Sequence, residues 1–198
     1  MHARQEAPIA GSDLVTVLDV DAVRRAMSGD REAFDRIAVS RIDRLYRMAR
    51  LILRDAERAE DAVQEALVRC WRDLPTLRDV DRFDAWLHRL LVRAAQDQFR
   101  DAGRQRAVIK VLRPELASVD ASESVATREA LDRGFRRLTI DHRAVLVLRL
   151  YVGLSLEETA ATLGIPAGTA KSRLHYATQA MRDALEADAR PPLREVTA

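Results

Sequence analysis

Residues Gly153 to Arg173 read GLSLEETAATLGIPAGTAKSR and carry the signals of two helices joined by a tight turn. Ser155 and Glu158 have the spacing of a capping box, which predicts that a first helix begins directly after the serine. Gly164 supplies a residue able to end that helix in the left-handed conformation, and Pro166 favours the start of another. The stretch therefore predicts a helix-turn-helix.

The second helix is expected from about Pro166 to Leu185. One of its faces is apolar and is expected in the core: Ala170, Leu174, Ala177, Met181 and Leu185. The residues of the other side, here called the recognition face, are the candidates for contact with DNA: Gly168, Thr169, Lys171, Ser172, Arg173, His175, Tyr176 and Gln179. A merely solvated surface is the alternative interpretation. The capping box, Gly164 and the basic start of the helix together favour reading of the major groove.

Composition limits the other possibilities. The chain has 198 residues, 47% hydrophobic and 32% charged, with a formal net charge of +2, so a nucleic-acid surface requires local segregation of charge. Cys70 is the sole cysteine, which excludes an intramolecular disulfide and a zinc site built from several thiolates. Because no apolar run approaches the roughly 18 residues of a membrane span, we expect no membrane insertion and a cytoplasmic protein.

The periodicity of the chain predicts an all-α protein made of two small helical domains joined by a flexible linker. The first helical block runs from Asp21 to Gly103 and the second from Thr127 to Asp188. Residues 104–126 contain a proline and a stretch rich in serine and aspartate, which is typical of a tether. Residues 1–20 form an N-terminal extension and residues 189–198 a C-terminal tail.

One predicted helix of the first block has a polar face opposite an apolar one. The apolar face contains Ala59, Ala62, Val63, Ala66, Leu67, Cys70 and Leu74, and there Cys70 is expected to act as a small buried hydrophobe. The polar face contains Asp61, Gln64, Glu65 and Arg69. From these residues alone, a solvated surface and a docking site for a partner's helices are equally good interpretations.

The next helix, roughly Phe83 to Ala102, carries a basic stripe opposite an apolar one. The basic stripe consists of Arg89, Arg93, Gln96 and Arg100, and the apolar stripe of Leu87, Leu90, Leu91 and Ala94. Arginines in such a stripe are suited to neutralise phosphates. Trp86 lies about 60° from the basic stripe, so that base stacking and packing against a neighbouring helix both remain open for it.

Three stretches together resemble the extracytoplasmic-function (ECF) group of the bacterial sigma-70 family, the RNA polymerase sigma factors. They are AEDAVQEALVRCW, then FDAWLHRLL followed by Asp97 and Arg100, then GLSLEETAATLGIPAGTAKSRL. The resemblance covers both blocks. It implies a transcription initiation factor in which residues 21–103 form a sigma-2 domain and residues 127–188 a helix-turn-helix sigma-4 domain.

The resemblance also implies partners and site residues. Asp61, Gln64, Glu65 and Arg69 would bind core RNA polymerase at the clamp helices of its largest subunit, and the second block would meet the flap of the second-largest subunit. A second set would melt and hold the minus-ten element of promoter DNA: Arg78, Arg82, Trp86, Arg89, Arg93, Gln96 and Arg100. The recognition face would contact the minus-thirty-five element as duplex. The linker would thread near the RNA exit path, and an anti-sigma factor is a further expected partner.

The chain departs from the family pattern at three positions. Arg93 stands where the family usually has asparagine, which bears on how the minus-ten strand is handled. His175 and Tyr176 stand where arginine is frequent, so the minus-thirty-five preference is expected to differ. His175 alone fits a solvated histidine equally well.

No catalytic constellation, cofactor site or metal-ligand spacing such as His-Glu-x-x-His occurs in the sequence, so we expect a protein that acts by binding and is not an enzyme. The alternative is a helix-turn-helix repressor that binds an operator as a dimer through half-sites about 10 base pairs apart. A helical protein that sequesters another regulator is a third class, against which the basic stripe argues.

Overall fold

The computed structural model describes residues 18–106 and 125–189, and in these two ranges the regular structure is helical. The elements of the first helical block are α1 (Val20–Met27), α2 (Arg31–Leu53), α3 (Ala56–Asp73) and α4 (Phe83–Arg106), with short 3-10 turns at Leu74–Thr76 and Val80–Arg82 between the last two. The second contains α5 (Val125–Arg137), α6 (Ile140–Leu146), α7 (Leu156–Leu163) and α8 (Ala167–Ala189). The predicted all-α class is confirmed for the described residues.

Side-chain caps define where the helices of the first block begin. The carboxylates of Asp19, Asp30 and Asp55 each accept a hydrogen bond from the backbone N–H three residues on, at 2.9, 3.0 and 3.1 Å. Such caps satisfy backbone donors that have no partner within the helix. The starts of α1, α2 and α3 are therefore each encoded locally, by a single aspartate.

The core of the first block lies between α2, α3 and α4. Its large buried side chains include Leu45, Met48, Ile52, Leu87 and Leu91. Most of the predicted apolar face of α3 is buried, although Leu67 is only partly so, and the alanines of this face allow close approach of the neighbouring helices. Cys70 is fully buried, and this burial raises the pKa of its thiol to about 12. Cys70 is therefore a small buried hydrophobic residue of the core, as the sequence predicted.

In the second block, α8 packs along α5 and α6. Gly134 on α5 lies so close to α8 that a Cβ atom built on it would approach the sulfur of Met181 to 2.6 Å. Ala170 and Ala177 are buried as predicted, but Leu185 is exposed and Ala184 is buried in its place. The prediction of the apolar face is therefore wrong at Leu185, because at this turn of α8 the small side chain of Ala184 faces α5 instead.

The two blocks also pack against each other. The chain after α6 continues as a π-helical segment, Val147–Tyr151, which sequence periodicity did not predict. Ala144, Val147 and Leu148 from this region belong to the same hydrophobic cluster as the core of the first block. The wider π turn thus lies where α6 meets α2.

The predicted extension, linker and tail fall largely outside the described residues, which leave out 1–17, 107–124 and 190–198. At the linker's predicted ends, α4 continues to Arg106 and α5 begins at Val125.

Candidate nucleic-acid interface

The corner before α8 is built as the sequence predicted. The Ser155 hydroxyl accepts a hydrogen bond from the Glu158 backbone N–H at 3.1 Å, and a Glu158 carboxylate oxygen accepts one from the Ser155 N–H at 2.7 Å. The backbone hydrogen bond from Ser155 is the main reason that the pKa of Glu158 lies below its ordinary value. Gly164 ends α7 in the left-handed conformation with φ of 66°. The capping box and the glycine corner are confirmed.

The recognition face is presented to solvent along the first half of α8. Gly168, Lys171, Ser172, His175, Tyr176 and Gln179 are exposed, while Thr169 and Arg173 are half-buried. The Ser172 hydroxyl donates to the Thr169 carbonyl at 3.0 Å, and the Gln179 amide donates to Asp183 at 2.8 Å. An exposed row of hydroxyl, imidazole, phenol and cationic groups has the chemistry for base edges and phosphates in a major groove.

Two residues of α6 brace this face and were missed from the sequence. A guanidinium nitrogen of Arg173 lies 2.9 Å from a carboxylate oxygen of Asp141. The His142 ring stacks on Tyr176 with centroids 4.7 Å apart. Partial burial, together with the charge of Arg173, lowers the pKa of His142. Thr139 caps the start of α6, but no local pattern pairs the side chains of that helix with a helix about thirty residues later.

The basic stripe on α4 is divided between open and covered residues. Arg93 and Arg100 are exposed. Arg89 donates instead to the carbonyls of Ala161 and Thr162, at 2.6 and 3.2 Å, and the Gln96 amide donates to Asp141 at 3.0 Å. The structure therefore keeps the predicted alignment of the stripe but covers part of it with the second block.

Arg100 also pairs with Asp97 on the same helix, and Arg69 from α3 reaches that carboxylate at 3.0 Å. Partial burial opposes ionisation of Asp97, but these two hydrogen bonds outweigh it and lower its pKa. A negative charge thus lies within the stripe and attracts the two arginines that flank it.

The segment before α4 carries the remaining minus-ten candidates. Arg78 and Arg82 are exposed, and Arg82 pairs with Asp79 at 3.2 Å. Trp86 is half-buried against the core of the first block, and its ring centroid lies 6.2 Å from that of Phe83. Trp86 therefore packs against the core of the first block, while part of its side chain remains at the surface.

On α3, Asp61 and Gln64 are exposed, whereas Glu65 and Arg69 form an ion pair at 2.7 Å. Val68 and Trp71 are also exposed on this helix, and Trp71 stacks obliquely on Phe34 of α2 at 5.0 Å between centroids. Sequence analysis missed Val68, although it lies one turn beyond Gln64 on the same side. Val68, which is 61% exposed, and Trp71 add apolar surface beside these polar residues.

Within residues 18–106 and 125–189, no cluster of three or more histidine, cysteine or acidic side chains has the arrangement to hold a metal ion. In the same ranges, no helix is long and apolar enough to cross a membrane.

Comparison with known proteins matches two family models. Residues 39–105 match sigma-70 region 2, and residues 134–183 match sigma-70 region 4. The ECF RNA polymerase sigma factor SigM of Mycobacterium tuberculosis is 34% identical over 156 residues, which cover 78% of each chain. The RNA polymerase sigma-E factor of Streptomyces coelicolor is 36% identical over 170 residues, covering 84% of this chain and 96% of the relative.

Solved structures agree with these matches. The sigma factor RpoE of Bartonella quintana, in complex with the anti-sigma factor NepR, aligns with a TM-score of 0.65 and 26% identity over 78% of this chain and 98% of that one. CnrH, in complex with the cytosolic domain of CnrY, aligns with a TM-score of 0.62 and 26% identity over 86% and 99%. The two matched regions, in this order and on this helical framework, show that the chain belongs to the sigma-70 family of bacterial RNA polymerase sigma factors, in its ECF group.

Proposed function

We propose that this chain binds core RNA polymerase and directs it to specific promoters. The sigma-4 domain, residues 127–188, recognises the minus-thirty-five element as duplex, and the sigma-2 domain, residues 21–103, melts and holds the minus-ten element. The observation that carries this proposal is the exposed recognition face of α8 behind a tight, capped corner, in a chain that also carries region 2. No bond is made or broken by the chain, which needs no cofactor and acts through binding energy alone.

At the minus-thirty-five element, Ser172, His175 and Tyr176 read base edges while Lys171 and Arg173 neutralise phosphates. Gly168 and Thr169, at the start of α8, lie where the helix meets the DNA backbone, and Gln179 ends the contact. The exposure of this row supports the assignment, as does the N-terminal position of these residues on the second helix of a helix-turn-helix.

At the minus-ten element, arginines hold the backbone of a single strand and Trp86 borders an unpaired base. The residues are Arg78, Arg82, Trp86, Arg89, Arg93, Gln96 and Arg100. Single-strand capture of this kind combines phosphate neutralisation with stacking worth about 1 to 3 kcal/mol per base. That energy helps to offset the cost of opening the duplex.

Core polymerase binds the polar side of α3. Asp61 and Gln64 are exposed there, and the Glu65–Arg69 pair lies beside them. Val68 extends this surface with an apolar contact, the kind of side chain that excludes water at the centre of an interface. The clamp helices of the largest subunit are the partner proposed for α3, and the flap of the second-largest subunit is the partner proposed for the sigma-4 domain.

An anti-sigma factor is proposed as a further partner, because the solved relative RpoE was captured with one. The chain would act in the cytoplasm, where polymerase and chromosome meet.

Run-off transcription from a pool of genomic fragments, with purified bacterial core polymerase and with or without this chain, tests the proposal. We expect discrete start sites that depend on the chain. Absence of such sites and of core binding, with symmetric duplex sites bound by the chain alone, would instead identify a repressor.

A further inference from the structure

The Tyr176 ring on the recognition face is supported by a second ring. Tyr176 is 56% exposed, one turn of α8 beyond Ser172. A tyrosine at a helix surface ordinarily exchanges between staggered rotamers. In this chain the imidazole of His142 on α6 stacks against the phenol ring, with an interplanar angle of 29° and centroids 4.7 Å apart. The stack covers part of the Tyr176 ring and leaves more than half of the residue open to DNA.

The separation of the two rings is that of an attractive aromatic pair. Stacked or tilted rings with centroids about 4.5 to 7 Å apart attract each other beyond the effect of the area that they bury. This attraction favours one orientation of the Tyr176 phenol over the others that a helix surface allows. A side chain that is ordered before binding loses less conformational freedom when its partner arrives. The stack therefore prepares Tyr176 for contact with DNA.

The His142 ring is itself held in place at the start of α6. Thr139 caps this helix, and its hydroxyl accepts a hydrogen bond from the His142 backbone N–H at 3.3 Å. The same hydroxyl oxygen lies 3.0 Å from Nδ1 of the His142 ring. A hydroxyl can accept and donate at once, so Thr139 holds both the backbone and the ring of His142. The phenol of Tyr176 thus rests on a side chain that has its own anchor.

The other side chains proposed to read base edges are held differently. The Ser172 hydroxyl donates to a carbonyl of its own helix at 3.0 Å. His175 is exposed, and within the ranges that the structure describes no aromatic ring stacks on it. Asp141, the neighbour of His142 on α6, pairs with Arg173, which is assigned to phosphates. His142 therefore connects α6 with a base-reading side chain of α8.

We propose that His142 is a positioning residue for minus-thirty-five recognition, which sets the base preference at the position that Tyr176 contacts. The inference rests on the proposed function and deepens it at one site residue. A phenol held in one orientation meets one base edge in good geometry, so a different base at that position leaves a polar group without its partner. A phenol that is free to turn adapts to several bases and discriminates less between them.

A promoter library with a randomised minus-thirty-five element tests the proposal, using holoenzyme formed from core polymerase and the full chain. The bound DNA is sequenced for wild type, Tyr176→Ala, His142→Ala and His142→Phe. The Tyr176→Ala variant identifies the position that the phenol contacts. His142→Phe keeps an aromatic ring beside the phenol and is the matched control for His142→Ala, which removes the ring.

We expect His142→Ala to lower discrimination at the Tyr176 position about fivefold, and His142→Phe to keep it within about twofold of wild type. The positions that Ser172 and His175 read should keep their preferences in both variants, which makes them internal controls. An equal loss of affinity for every sequence, with discrimination unchanged at each position, would show that the stack serves only the packing of α6 on α8. That result would overturn the proposal.

A double-mutant cycle separates positioning from direct contact with DNA. If His142 acts through Tyr176, the effect of His142→Ala on the library preferences should shrink to less than about twofold in a Tyr176→Ala background, because the effects of coupled residues do not add. A full effect of His142→Ala in that background would identify a direct contact of the imidazole with DNA and overturn the positioning role.

The same library distinguishes failure of this inference from failure of the proposed function. If wild-type holoenzyme discriminates between sequences but Tyr176→Ala alters no position, or His142→Ala discriminates as well as wild type, the inference is overturned and the proposed function stands. If wild-type holoenzyme binds all sequences of the library equally, the minus-thirty-five assignment is wrong, and the inference falls with it.

Discussion

The residues of the recognition face differ in how they are held before DNA arrives. Arg173 is braced by Asp141 and Tyr176 by the His142 ring, whereas Ser172 bonds only to the carbonyl of its own helix. His175 projects from the exposed side. A braced arginine suits a fixed phosphate, while hydroxyl and imidazole groups at the surface suit base edges.

These differences predict two kinds of effect on holoenzyme binding to a library of minus-thirty-five variants. Arg173→Ala should weaken binding about tenfold for all sequences and reduce the salt dependence by about one charge. Ser172→Ala and His175→Ala should each change preference at a single position, by about 1 to 3 kcal/mol. Arg137→Ala, an exposed arginine on α5, is the control for loss of charge. A uniform loss for all three substitutions would contradict base reading by Ser172 and His175.

His88 predicts how stability depends on pH. The side chain is buried on α4, and this burial, with the charges of Arg44 and Arg41 outweighing that of Asp84, lowers its pKa from 6.5 to about 4. The imidazole of His88 therefore binds a proton more readily in the unfolded chain than in the folded one. The contribution of neutral His88 to the free energy of unfolding is present above pH 6.5 and is lost as pH falls toward 4. The free energy of unfolding should drop by about 2 kcal/mol between pH 7 and pH 5 from this residue.

Urea unfolding of wild type and His88→Gln at both pH values measures this contribution. The variant should lose about 2 kcal/mol less than wild type on acidification, whatever its stability at pH 7. Equal losses in the two proteins would show that His88 is not the group responsible.

At the scale of elements, the α7 corner depends on its capping box. Ser155→Ala removes the hydroxyl that accepts from Glu158 N–H and should destabilise the sigma-4 domain by about 1 kcal/mol. Ser155→Thr keeps an acceptor and is the matched control, expected to lose only a few tenths of a kcal/mol. The denaturation midpoint of each variant is the measurement, and equal midpoints for Ser155→Ala and wild type would contradict the role of the cap.

The elements that sequence predicted well are those with local signals. Ser155, Glu158 and Gly164 marked both ends of α7, and the three- and four-residue spacing identified the buried face of α3. Leu185 was misplaced because periodicity near a helix end does not show which neighbour covers it. The π segment at Val147–Tyr151 has no local signature in the sequence and lies where α6 meets α2.

At the scale of the whole molecule, sequence could not predict what the basic stripe touches. Periodicity aligned Arg89 and Gln96 on one side of α4, but their partners, the end of α7 and Asp141, lie 45 to 73 residues further along the chain. Only the folded arrangement brings them together. A surface that sequence predicts as open is thereby partly covered by α6 and α7.

Under the proposed function, this chain gives core polymerase the ability to find and open promoters. Permanganate reactivity of thymines in a promoter found by run-off transcription tests it most directly, with core alone, the chain alone and both together. We expect reactive, unpaired thymines in the minus-ten element only when both core and chain are present. Minus-ten thymines that stay as unreactive with core and chain together as with either alone would contradict the proposed function.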